Sequence, residues 1–143
     1  MIPTLVTAVL TAGLTVIGVL HFIWAFSPWP LKDEVAFTKA VLGNASGTMP
    51  PAPLSALVGV VLLGGGAVSL MTNGSVPEVG PDWLCIAGSY GLALVLLGRG
   101  LGGYLMGANA TGEFQRLNAV LYSPLCIALG LMSGAIAVYA TVR

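Results

Sequence analysis

Four apolar stretches, each about as long as the hydrocarbon core of a bilayer requires of a helix, run through this 143-residue chain. They cover roughly residues 2–26, 53–71, 81–106 and 118–142. Inside lipid every backbone N–H and C=O must find its partner within the protein, so a spanning segment is either a helix or a strand of a closed barrel. These stretches are almost continuously apolar and lack the alternation of barrel strands, which leaves helices. The expected fold is all-α: a single transmembrane four-helix bundle, up-down-up-down.

Composition points the same way. Charged residues make up 7% of the chain against about 25% in a soluble domain, too few to clothe a water-facing surface. The formal net charge is zero, which gives no electrostatic basis for binding nucleic acid. A single histidine excludes a multi-histidine metal site within one chain, and Cys85 and Cys126 have neither CxxC nor metal-ligand spacing. No metal site is expected, and nothing identifies a cofactor. The first stretch contains no Lys or Arg and continues to Phe26, longer than the core of a signal peptide, so it is expected to remain as the first span.

Local breakers set the span ends. Pro28 and Pro30 stop the first, Pro50, Pro51 and Pro53 open the second, and Asn73-Gly74 ends it. The fourth has two possible starts. Ser123-Pro124 reads as a cap and first-turn proline, or a longer helix begins near Glu113 and is kinked at Pro124. The loop from residue 31 to 52 is the longest, with a short polar segment from Lys32 to Lys39 suited to lie as a helix at the interface. Glycines spaced by four (Gly98/Gly102, Gly103/Gly107, Gly130/Gly134) allow close helix approach, and packing inside one bundle is the simplest reading of them. The bilayer is the expected surrounding, with a membrane-protein partner or a second copy as further possibilities. Lys32, Lys39 and Arg116, with Arg99 near the same boundary, fall on one side of such a bundle and Arg143 on the other. By the positive-inside tendency the termini are expected in the periplasm.

An antiparallel chain gathers its polar side chains at one end. His21 and Trp24 lie near the exit of the first span, Arg99 near that of the third, and Asn118, Tyr122 and Cys126 near the entry of the fourth. These six are the candidate ligand-binding residues. His21 and Trp24 are three apart and share a helix face, although Trp24 with Trp29 is most simply an interfacial aromatic belt. Arg99 carries the strongest signal. A guanidinium near the centre of a span costs about 2.5–3.5 kcal/mol on insertion scales, less toward an end, where it also reaches headgroups. Its neighbours Gly98 and Gly100 expose backbone and admit a partner or ligand. A buried arginine needs an acceptor, such as Glu113, backbone carbonyls or an anion.

The pattern His21-x-x-Trp24, Arg99 in the third span, and Phe114-x-x-Leu117-Asn118 leading into Tyr122-Ser123-Pro124-Leu125-Cys126 resembles a family of small bacterial membrane proteins catalogued only as a domain of unknown function. The resemblance covers nearly the whole chain, and it implies a four-helix membrane bundle, a bacterial inner-membrane location and no established activity. Two positions depart from the family pattern: Gly102-Gly103 stands where the family tends to carry an acidic residue, and Asn118 where it tends to carry aspartate. Both remove candidate partners for Arg99 and count against a shared proton relay.

Three functions fit these residues. The first is binding or transport of a small anionic or lipid-like ligand, with Arg99 supplying charge and His21, Asn118 and Tyr122 hydrogen bonds. The second is an accessory subunit of a larger membrane complex. The third is a membrane-embedded enzyme using His21 as acid or base and Cys126 as a thiol. They rank in that order, since no catalytic motif is present.

Overall fold

The computed structural model describes residues 2–143, and its elements are helices and turns. In chain order they are α1 (Ile2–Trp24), α2 (Glu34–Phe37), α3 (Ala52–Thr72), α4 (Asp82–Met106), α5 (Gly112–Leu117) and α6 (Ser123–Val142). The segments around α1, α3, α4 and α5–α6 are four helices long and apolar enough to cross a membrane. The molecule is an all-α four-helix bundle and a multi-pass membrane protein.

Each end has a local cause. α1 stops at Trp24, ahead of Pro28, because the ring of a proline disfavours helical geometry in the residue before it. Two prolines open α3, where a missing N–H costs nothing. Gly74 then takes a left-handed φ of 76° and turns the chain toward α4. The fourth segment adopts the longer of its two possible forms. It runs unbroken from Gly112 to Val142, with Thr111 as its cap. Pro124 does not end it. Proline has no N–H for the i−4 carbonyl, and the helix widens into a π-turn over Asn118–Tyr122, where the Ser123 N–H reaches Asn118 O.

Glycine decides which helices touch backbone to backbone. α1 lies along α3, where a Cβ on Gly18 would stand 3.1 Å from Gly59 O. α4 lies along α6, where a Cβ on Gly100 would stand 3.0 Å from both Ile127 N and Ser123 O. One on Gly130 would stand 3.0 Å from Leu97 N. Lipid offers no hydrophobic drive between helices, so this closeness is what holds them. Gly98 and Gly102, also spaced by four, have nothing within 4 Å and face outward. Between the two pairs lies a core of Leu10, Leu14, Leu92, Leu96, Leu129 and Ile136.

One end of the bundle is capped by the long loop. After α2 the chain forms a π-turn over Thr38–Leu42, and Gly43 closes it at φ 77°. The loop is pinned to the start of the fourth helical segment. Thr111 Oγ1 donates to Lys39 O at 2.7 Å, Thr111 N to Gly43 O at 3.0 Å, and Tyr122 Oη to Ala40 O at 3.0 Å. Phe37, Thr38 and Ala40 are the buried residues of this loop's helical part.

Candidate functional site

The close approach of α4 and α6 brings three polar side chains together beside Gly103. Arg99 Nη1 donates to Asn118 Oδ1 at 3.4 Å, Ser123 Oγ donates to the same oxygen at 3.1 Å, and Asn118 Nδ2 donates to Gly103 O at 2.7 Å. Asn118 and Ser123 are buried, at 2% and 0% exposure, so their amide and hydroxyl groups depend on these bonds alone. Gly103 is what makes room. A Cβ there would strike Ser123 Oγ and stand 2.5 Å from Arg99 Nη1 and 2.9 Å from Asn118 Oδ1. The π-turn matters too, since it begins at Asn118 and adds a residue to the turn between Asn118 and Ser123.

Arg99 is the exception in this satisfied cluster. It is half-buried in an apolar span, and its long bond to a neutral amide engages one of five N–H donors. Glu113, a candidate partner from the sequence, is exposed on α5 and is not the acceptor. The guanidinium reaches one turn toward the end of α4, to the level of Gly103, where the helix dipole favours a cation.

The hydrogen bonds of His21, Trp24 and Tyr122 run elsewhere. His21 Nδ1 donates to Ile17 O at 2.8 Å, since a carbonyl can only accept, and neutral His21 therefore carries its lone pair on Nε2. Its ring lies 4.9 Å from Trp24, and Trp24 stands edge-on to Phe37 at 5.2 Å. Trp24 Nε1 donates to Trp29 O at 3.0 Å, so the two tryptophans are fixed to each other at the loop. Tyr122 is engaged with the loop through Ala40 and packs 6.2 Å from Phe114. Cys126 is a free, half-buried thiol, and Cys85 is free and buried. Among the described residues the hydrogen bonds of His21 and Tyr122 do not lead to Arg99. No group of three or more His, Cys, Asp or Glu suited to a metal ion is present among the described residues.

A cavity of about 250 Å³ opens beside Asn118, lined also by Gly103, Tyr104, Gly107, Ala108, Gln115 and Ala119. Tyr104 Oη reaches Ala119 O at 3.5 Å, and Gln115 Nε2 donates to Gly107 O at 2.6 Å, leaving the Gln115 carbonyl as an acceptor. The volume sits just below the usual range of small-molecule sites, about 300–1,000 Å³.

Sequence reasoning missed Ser123 as a buried donor, Gly103 as the gap that admits the cluster, and a second polar chain at the opposite end. There Thr72 Oγ1 is 2.8 Å from Val68 O, 3.0 Å from Cys85 O and 2.9 Å from Ser89 Oγ, while Ser133 Oγ donates to Ser89 O at 2.8 Å. The signal was available. Cys85, Ser89, Leu92, Leu96, Gly100 and Gly103 are all buried, and their spacing of three and four marks the packed face of α4. Outside the spans, the Asp82 carboxylate beside Glu78 raises the Glu78 pKa above the ordinary carboxylate value, chiefly through a shared hydrogen bond.

The sequence profile of a family described as a protein of unknown function (DUF3995) matches residues 14–133, a stretch that contains every member of the Arg99 cluster. The chain belongs to that family. No curated protein and no solved structure matches it.

Proposed function

We propose that this family member binds a small anionic or lipid-like ligand at the end of the bundle where α4 closes on the start of α6. The observation that carries the reading is Arg99: a permanent charge within an apolar span, held by one 3.4 Å bond to a neutral amide and lacking a carboxylate partner among the described residues. A guanidinium in that position gains most from an anion, which it recognises through paired parallel N–H donors. Asn118 and Ser123 position it from the α6 side. His21 and Trp24 belong to the same capped end through Phe37 and the long loop, and Tyr122 holds that loop down.

Lys32 and Lys39 in the long loop and Arg116 on α5 also belong to this end, which by the positive-inside tendency faces the cytoplasm, with the termini in the periplasm of a bacterial inner membrane. The ligand then meets the protein on the cytoplasmic side. Mass spectrometry of the detergent-purified protein tests the reading. A bound anionic species should be retained by the wild type and lost in Arg99→Gln. Retention unchanged in that variant would overturn it, and a stoichiometric polypeptide in place of a small molecule would favour the accessory-subunit function.

A further inference from the structure

α1 and α4 bury the same pattern of residues. Thr7, Leu10, Leu14 and Gly18 on α1 stand at the spacing of Ser89, Leu92, Leu96 and Gly100 on α4, and all are buried. α3 and α6 match in the same way: buried Gly59, Gly66, Ser69 and Thr72 correspond to buried Ser123, Gly130, Ser133 and Ile136. The contacts repeat as well. A Cβ on Gly18 would meet Gly59 O and Leu63, and one on Gly100 would meet Ser123 O and Ile127, which hold the equivalent places. So do the connections. Asp33 and Thr111 each cap a short helix that leads into a five-residue π-turn, and Ala40-Val41-Leu42 follows Glu34 as Ala119-Val120-Leu121 follows Glu113. The bundle thus divides into two equivalent halves, α1 to α3 and α4 to α6, and in both the first long helix runs toward the capped end.

The halves are joined differently inside than between. Within each half glycine meets backbone: Gly18 faces Gly59 O, Gly66 faces Thr11 Cα, Gly100 faces Ser123 O and Gly130 faces Leu97 N. Between the halves it meets side chains, with Gly13 against Leu129, Gly65 against Leu92 and Gly88 against Val68. The core that the halves share is leucine and isoleucine. Among the described residues, the hydrogen bonds that cross from one half to the other lie at the two ends. Tyr122 and Thr111 hold the first half's loop at the capped end, and Thr72 holds Cys85 O and Ser89 Oγ at the other. Helices locked backbone to backbone move together, whereas apolar side chains slide past one another in small steps.

We propose that the chain is a tandem repeat of one hairpin unit, and that its halves rock against each other as rigid bodies, parting at the capped end and at the opposite end in turn. Membrane carriers built from two repeats hold their cargo between the repeats and open to each side by such rocking. Ile17, which in the first half occupies the place of Arg99, packs against the shared core, so the Arg99 site is an addition to the second half at the edge of the moving interface. The protein is then a carrier of the small anion held there. The cargo rests on the reading of Arg99 as an anion site, and the motion does not.

The two native thiols report the two ends. Cys85 is buried beside the Thr72 tie, and Cys126 occupies the place of Leu62, which packs against the core toward the capped end. The full-length protein in proteoliposomes is treated with N-ethylmaleimide, and the rate at each cysteine is read by peptide mass spectrometry. Thr72→Val should speed Cys85 at least threefold and slow Cys126 at least twofold. Tyr122→Phe should do the reverse. Each variant removes a single hydroxyl, so both should fold, and each lies near one thiol, so the rate at the far thiol decides. A far thiol that is unchanged or faster in both variants would overturn the rocking and leave a static anion-binding protein. Arg99→Gln belongs to neither tie and should keep the wild-type rates at both thiols while losing the anion. Retention of the anion there would overturn the cargo alone.

Discussion

Arg99 Nη1 and Asn118 Oδ1 meet at 3.4 Å across the α4–α6 seam, nineteen residues apart in sequence. That bond ties the charge of one span to the buried amide of another, and Asn118 passes the constraint on to Gly103 O and Ser123 Oγ. The cluster stabilises the seam and orients the guanidinium at once, so its variants should show both effects.

Asn118→Leu keeps the volume and removes three bonds. It leaves Gly103 O without its donor and Arg99 without an acceptor, and should cost about 1–3 kcal/mol. Thermal unfolding in detergent should show a lower midpoint than wild type. An unchanged midpoint would mean that water or detergent already satisfies these groups.

Gly103→Ala and Gly102→Ala are adjacent and should behave oppositely. At Gly103 the new methyl collides with Ser123 Oγ and crowds Arg99 Nη1, which should cost about 1–3 kcal/mol through forced displacement. At Gly102 it enters open space, and the helix preference for alanine should make the change neutral or stabilising by up to about 1 kcal/mol. The two melts compared side by side check the assigned rotation of α4.

Thr72→Val deletes the hydroxyl that links α3 to Cys85 O and Ser89 Oγ at the other end of the bundle. Interhelical hydrogen bonds in membranes average about 0.6 kcal/mol, with a maximum of about 1.7, so a loss of about 1 kcal/mol is expected. A double-mutant cycle with Ser89→Ala should return a non-zero coupling. Strict additivity would dissolve the proposed link.

Tyr122→Phe removes only the bond to Ala40 O and should leave the bundle intact while freeing the loop. Amide exchange over residues 38–44 should quicken several-fold, and the global stability should fall by about 1 kcal/mol or less.

Glu78 offers a pH test away from the spans. Its pKa is raised by the neighbouring Asp82 carboxylate, so the folded protein holds this proton more tightly than the unfolded chain does. The resulting stability is present at low pH and is lost as pH rises through the raised Glu78 pKa. Glu78→Gln should flatten that part of the melting-midpoint profile in the weakly acidic range. The effect should be small, because the pair stands at the solvent boundary.

The number of spans, their helical form and most of their ends follow from the chain alone. A bilayer admits only backbones that satisfy themselves, and proline and glycine mark where each helix stops. The polar residues of interest were legible for the same reason, since Arg99 and His21 stand out against hydrocarbon. The rotation of each helix was legible only where small and polar residues recur every three or four positions, as from Cys85 to Gly103 on α4, and not from its apolar residues. In water a packed face and an exposed face differ in polarity, but in lipid both are apolar. Leu94 is 75% exposed and Leu96, two residues on, is 6% exposed, with no difference in chemistry to announce it. Gly102 and Gly103 differ in the same way, one open and one holding a gap for three polar side chains. Only the packing of α4 against α6 decided which glycine met a neighbour, that Asn118 and not Glu113 received the arginine, and that Tyr122 was taken up by the loop. Those choices depend on backbone distances of a few ångströms, which pattern and composition do not encode.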